Sequence, residues 1–157
     1  MMTDPYVAQN GYLGGEACLY YNAGTFDSPD WVLILNRGDI DVPDSRSKVA
    51  APTAAQWPYI GYLVGARDLG LTWTSNKNRG TSDTAIIAMV SAYDTGGVVE
   101  FAIADGLMDT PGTRYLRMGA IITKAQETDP LDGPVVWAFE AAFALNAPQL
   151  PSRAVAG

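Results

Sequence analysis
Residues 135–145 constrain the fold more tightly than any other stretch. Val135, Trp137, Phe139, Ala141, Phe143 and Leu145 alternate with Val136, Ala138, Glu140, Ala142 and Ala144. Successive side chains on a strand point to opposite faces, so this is a strand with one bulky apolar face and one small face bearing a single carboxylate. The first face builds a core. The second is too smooth for an ordinary solvated face, which usually shows Lys, Thr and Glu. A row of alanines lets another surface lie close, or leaves the sheet clear towards an opening. Val98–Ala104 and Tyr115–Ala125 read as two further strands, joined by loops rich in Gly, Pro, Asp and Thr.

A chain of 157 residues with 48% hydrophobic and 17% charged residues can bury one real core and is not disordered in its body. Histidine is absent and Cys18 is the only cysteine. That excludes an intramolecular disulfide, a Cys/His zinc site and any Ser–His or Cys–His catalytic pair. The net charge is −7 and the basic residues are scattered singly, which argues against tight nucleic-acid binding through counterion release. Nucleic acid passing nearby without being held is compatible with that charge. The first residues lack the basic and apolar regions of a signal peptide, and no run reaches the ~20 apolar residues of a membrane span. The expectation is a protein made and folded in a cytoplasm.

Taken in order, residues 1–15 are polar and glycine-containing and read as an N-terminal arm. Ala17–Tyr21 is a short strand, Asn22–Asp30 a turn cluster and Trp31–Asn36 a second strand, together suggesting a hairpin. Asp39–Val42 alternates Asp and apolar residues, so Asp39 and Asp41 share one face. Pro43–Gly61, with three prolines and an exposed-looking Trp57-Pro58-Tyr59, reads as a long loop; such loops are functional or disordered. Tyr62–Ser75 is again a strand: Leu69, Leu71 and Trp73 point one way, Asp68, Gly70, Thr72 and Thr74 the other. Thr81–Gly97 carries the one helical pattern, with its helix over 82–95. Ser82 is its expected N-cap, Asp83 complements the dipole, and Ile86, Met89, Val90 and Tyr93 form a stripe facing the sheet. Gly96 is its left-handed stop. Residues 147–157 contain two prolines and no periodicity, and read as a C-terminal arm. The body, residues 16–146, is thus mainly β: an antiparallel domain with one flanking helix, a long loop and two arms.

No candidate chemistry outweighs a structural explanation. Asp39-x-Asp41-x-x-Asp44 lacks the glycine and terminal Glu of a calcium loop. Asp105 with Asp109, and Glu127 with Asp129 and Asp132, sit in turns, where Asp is common because its side chain bonds the backbone; paired carboxylates otherwise suit glycoside hydrolysis. Arg37-Gly38-Asp39 spells an adhesion tripeptide by chance. Gly106, Gly112 and Gly133 have no phosphate-binding pattern, and Cys18 has no candidate base. The expectation is no catalytic residue, no cofactor and no metal. Small, weakly acidic faces recur on three strands, Tyr62–Ser75, Val98–Ala104 and Val135–Leu145. An open sheet of this kind has edges that invite pairing with other copies, and head-to-tail contacts that close form rings.

In several places the chain resembles the tail tube (major tail) proteins of long-tailed bacteriophages. One is Leu13-Gly14-Gly15-Glu16-Ala17-Cys18-Leu19-Tyr20-Tyr21-Asn22-Ala23-Gly24-Thr25 followed by Ser28-Pro29-Asp30-Trp31. Others are Asp39-Ile40-Asp41-Val42 with Arg46, Glu100–Gly106 with Thr113–Arg117, and Glu127-Thr128-Asp129-Pro130-Leu131-Asp132 before the last long strand. The similarity runs in order over roughly Leu13–Pro148. The Pro/Ala-rich stretch 43–61 and both arms depart from it.

The resemblance implies a β-sandwich or barrel-like subunit forming hexameric rings, stacked into a tube around a tape-measure protein. It implies tail terminator and baseplate or tail-tip proteins as further partners, and a sheath protein in a contractile setting. DNA then crosses the lumen without tight binding, and the particle is a virion tail assembled in the host bacterial cytoplasm. In this reading Asp39, Asp41, Asp68, Glu100 and Glu140 face the lumen, while Arg46, Trp57 and Tyr59 contact a neighbouring subunit. Three alternatives stand beside it: the inner tube of a contractile injection or secretion-like particle, a carbohydrate-binding β-sandwich with Trp57 and Tyr59 as platform, and an acid–base hydrolase.

Overall fold
The computed structural model describes residues 17–35, 37–77 and 84–157. The expected N-terminal arm, Leu13–Glu16 of the opening motif, and Ser82 and Asp83 of the helix start lie outside them. The described strands are β1 (Cys18–Asn22), β2 (Trp31–Leu33), β3 (Arg37–Asp41), β4 (Asp44–Ala50), β5 (Tyr62–Asn76), β6 (Val98–Ala104), β7 (Arg114–Thr128), β8 (Val136–Phe143) and β9 (Ser152–Val155); the helix α1 is Thr84–Thr95. The strands join in one sheet, ordered β2-β1-β6-β7-β8-β5-β3, with β4 pairing β5 and β9 pairing β7. Every pairing is antiparallel.

Curling of the sheet makes the core. Phe101 on β6 and Trp73 on β5 are separated by two strands, about 14 Å across a flat sheet at ~4.8 Å per strand. Their rings nevertheless meet edge-on with centroids 5.2 Å apart. Between them β7 and β8 present Ala120, Ala125 and Ala141 to the interior, and these small side chains leave room for the sheet to close on itself. Trp73 also stacks on Phe139, which stacks on Trp137. Helix α1 covers this apolar face with Ile86 and Met89, against a cluster containing Phe101, Met118, Ala120 and Phe139. Tyr93, expected in the same stripe, is exposed instead, because the helix rests on the sheet through a narrower strip than its sequence pattern suggests. Gly96 ends the helix with φ +69°, the left-handed stop expected of it.

Three segments differ from the sequence reading. Asp44–Ala50 of the expected 43–61 loop is a strand, and only the turn between β4 and β5, with a 3-10 helix at Ala54–Gln56, is irregular. Its pairing continues that of β3 along the same edge of β5: Asp41 lies opposite Thr72 and Asp44 opposite Leu69. The Pro43 carbonyl bridges the gap by accepting from the Gly70 amide. β3, β4 and β5 are therefore one long hairpin, whose proximal half lies in the sheet and whose distal half pairs only with itself. Secondly, the expected C-terminal arm contains β9. β8 pairs β7 from Ala120 to Thr128, and β9 pairs the same strand from Arg114 to Arg117, giving β7 two partners in succession. Thirdly, the small face of β6 is covered: Ala102 and Ala104 lie buried with Tyr20, packed by Trp31, Leu33, Met108 and Tyr115.

Candidate functional site
The second, non-core face of the sheet divides into a covered half and an open half. Cross-strand neighbours share a face, and the register follows it strand by strand. On the open half Asp41 lies beside Thr72, Thr72 beside Glu140, and Glu140 beside Lys124. Gly70, Ala142 and Ile121 form the row on one side of it, and Thr74, Ala138 and Gln126 the row on the other. The sequence-predicted carboxylates Asp39, Asp41, Asp68 and Glu140 are all exposed. Asp41, Asp68 and Glu140 share this face, while Asp39 lies in the irregularity between Arg37 and Ile40, where alternation does not set its side. Lys124, missed in the sequence, stands 3.8 Å from Glu140. A bulge between Ile122 and Lys124 moves it there, reversing the alternation that holds up to Ile122.

Glu100 lies on the covered half. Its carboxylate accepts from the Arg117 guanidinium at 2.6 Å and from the Asn22 amide at 3.0 Å. The guanidinium also donates to the Phe26 carbonyl and sits over the rings of Phe26, at 4.2 Å, and Trp31, at 5.3 Å. Asn22 organises the whole 22–30 turn. Its Oδ1 accepts from the Gly24 and Asp30 amides, and its Nδ2 donates to the Thr25 carbonyl. A Cβ at Gly24 would fall 2.6 Å from the Ser28 carbonyl oxygen, so only glycine fits that position. The Asn22-Ala23-Gly24-Thr25 motif thus builds a lid over Glu100 and Arg117. The lid, with the segment around Ala147 that crosses close above Gly119, covers this half of the face.

The hairpin carries the remaining predicted residues. Arg46 is on β4; Trp57 and Tyr59 are on the turn, among the most exposed large apolar side chains, and the Trp57–Pro58 bond is cis. At the root, Arg67 grips Asp44 with two parallel hydrogen bonds of 2.6 and 2.7 Å. The bonds from Arg67 hold the Asp44 carboxyl below the usual carboxylate range and raise the guanidinium in turn. Asp44 is thereby taken out of the partial calcium motif. Among the described residues no group of three or more Asp, Glu or Cys is placed to hold a metal. A groove of about 580 Å³ opens between the hairpin root, at Val42 and Asp44, and Ile103, Asp105, Arg153 and Val155. Its charges are mixed and its walls largely apolar, an arrangement suited to contact rather than to acid–base chemistry.

No family model matches the sequence, and no curated protein matches it at the sequence level. Solved structures do match in fold. A chain from the tail of an empty gene transfer agent particle with C6 symmetry superposes with a TM-score of 0.69 at 13% identity, over 90% of this chain and 98% of that one. The SPP1 tail tube gives 0.69 at 13% identity, over 94% and 80%. A chain of the anti-feeding prophage baseplate gives 0.63 at 8% identity, over 93% and 97%. The curled antiparallel sheet with one helix is therefore the tail-tube fold, present here over nearly the full length.

Proposed function
We propose that this chain is the structural subunit of a phage-type tail tube. Copies join into hexameric rings, the rings stack, and the channel they enclose carries DNA out of the virion during ejection. The observation that carries this reading is the match along nearly the whole chain to subunits whose assemblies are tails. The surfaces support it: among the described residues, one molecule leaves an open smooth face, outer edges on β2 and β3 without a partner strand and an unsupported hairpin. In the tube, the open half of the second face, with Asp39, Asp41, Asp68 and Glu140, lines the lumen. Such a wall offers no run of Lys and Arg to hold phosphates, so DNA slides. Glu100, already engaged with Arg117, lends the lumen less charge than the other four. The hairpin, with Arg46, Trp57 and Tyr59, reaches a neighbouring subunit. A tape-measure protein, a tail terminator and baseplate or tail-tip proteins complete the tail, which assembles in the host bacterial cytoplasm. The baseplate match favours one second reading, the inner tube of a contractile injection particle; the subunit's role is then the same inside a sheath. The chain's work in either case is structural, without catalysis.

Negative-stain electron microscopy of purified protein over a range of concentration tests the reading. Hollow six-fold rings or tubes are the expected result. A chain that stays monomeric under every condition, including with its co-expressed tail partners, overturns it.

A further inference from the structure
We propose that the distal hairpin is a wedge: in the assembled particle it is clasped between two further copies of this chain, one against each of its faces. The proposal rests on the tail-tube reading and adds to it which surfaces meet. All seven residues of β4 are exposed. The register places Val49 beside Leu63, Lys48 beside Val64 and Ala50 beside Tyr62. Since neighbours along a strand face opposite ways, Val49 and Leu63 lie on one face of the ribbon, and Ala50, Tyr62 and Val64 on the other, where the Lys48 ammonium rests 4.5 Å over the Tyr62 ring. Each face is apolar and each is open: Leu63 is 62% exposed and Val64 72%.

A ribbon laid on a single surface needs one apolar face and one polar face. This ribbon has two apolar ones. Two strands alone are at best marginally stable in water, and exposed apolar ribbons of this kind pair promiscuously unless covered. No described residue covers it, and on this proposal the cover comes from other molecules, one per face.

Charge identifies those molecules. From Ser45 to Ala66 the chain carries Arg46 and Lys48 and no carboxylate, whereas the rest holds all 17 acidic residues against the other eight basic ones, Arg67 among them and already paired with Asp44. A basic, apolar arm on an acidic body is complementary to the bodies of its own kind. Seating one arm against two copies also makes growth cooperative, because a partial assembly leaves one apolar face wet.

Covalent trapping tests the wedge. A photo-crosslinking side chain, p-benzoylphenylalanine, is placed at Leu63, at Val64, or at both, in a tagged chain doped as a small minority into wild-type protein. After assembly and irradiation, each single position should give a tagged product of two chains, and the double position one of three chains. A double-position product of only two chains, or no product from one of the singles while tubes form, overturns the wedge and leaves the tube intact. Absence of rings or tubes from the wild-type protein overturns the tube reading, and the wedge with it.

Discussion
Removing the Glu100 carboxylate should be among the most damaging single changes outside the apolar core. The ion pair with Arg117 is short, at 2.6 Å, and its side chains retain only 10% and 18% of their exposure. Two unit charges 2.6 Å apart attract by about 6 kcal/mol at an effective dielectric constant of ~20. Desolvation of both ions offsets much of this, leaving a net coupling on the order of 2–3 kcal/mol. Glu100→Ala does more than remove the coupling. It leaves a mostly buried guanidinium between Phe26 and Trp31 with one carbonyl partner, and frees the Asn22 amide that organises the lid. The expected loss is about 3–4 kcal/mol, or a fall in Tm of ~10 °C for a chain of this size. Arg117→Met keeps an apolar stem between the two rings but leaves the more buried Glu100 carboxylate with the Asn22 amide alone, and should cost a comparable amount. A double-mutant cycle read by urea unfolding, at chain concentrations too low for particles to form, isolates the pair. A coupling below ~0.5 kcal/mol, or one that vanishes in ~1 M salt where screening acts over about 3 Å, would show that water reaches the pair and refute the burial argument.

Phe139→Ala should cost ~3–5 kcal/mol by leaving a cavity between Trp73 and Trp137, measurable as a lower urea midpoint with an unchanged slope. Gly24→Ala drives a Cβ to within 2.6 Å of the Ser28 carbonyl oxygen, so the turn must shift; a loss of about 1–3 kcal/mol is expected, and a neutral Tm would mean that the turn yields freely. The Asp44 carboxyl is depressed by its bonds from Arg67. A depressed carboxylate contributes stability that is complete above the ordinary carboxylate range and is lost as pH falls through its lowered value. Local opening at the hairpin root, followed by NMR titration, should therefore appear only at pH below that range, and Asp44→Asn should abolish the pH dependence.

The residues with strict alternation were legible. In β8 the apolar set around Phe139 faces the core and Glu140 faces out, as the period of two requires. β4 was not legible, because Asp44-Ser45-Arg46-Ser47-Lys48 is exposed on both sides, and a strand with no buried face leaves no alternation to read. β9 was hidden for another reason: four residues, Ser152–Val155, behind Pro148 and Pro151, are too few to establish a period. The bulge at Thr123 defeated the pattern in β7, so Lys124 went unnoticed opposite Glu140. Glu100 and Arg117 lie in segments whose motifs were recognised. Their pairing, however, depends on a register that sets Ala102 against Arg117 and Glu100 against Gly119, and register is a property of two strands at once.

One of these illegible parts, β4, is also among those a single molecule leaves unfinished. Among the described residues, the outer edges of β2 and β3 offer backbone groups with no strand beside them. The distal hairpin shows apolar residues on both faces, and the open half of the second face sets the exposed carboxylates of Asp41, Asp68 and Glu140 among small side chains. A monomeric protein protects such features with charge, proline or a covering loop, and here Pro52, Pro58 and the 3-10 turn sit at the hairpin's tip and Pro43 at its root. One kind of neighbour answers all three needs, because an identical chain brings a complementary edge, an acidic body for the basic arm and another stretch of the same smooth wall. In the proposed tube the open edges meet neighbours around a ring, while the arm, projecting beyond the sheet, meets neighbours outside that ring. Lateral closure and axial growth are thus assigned to different parts of one sequence, so substitutions on the distal hairpin should stop stacking while leaving the subunit folded.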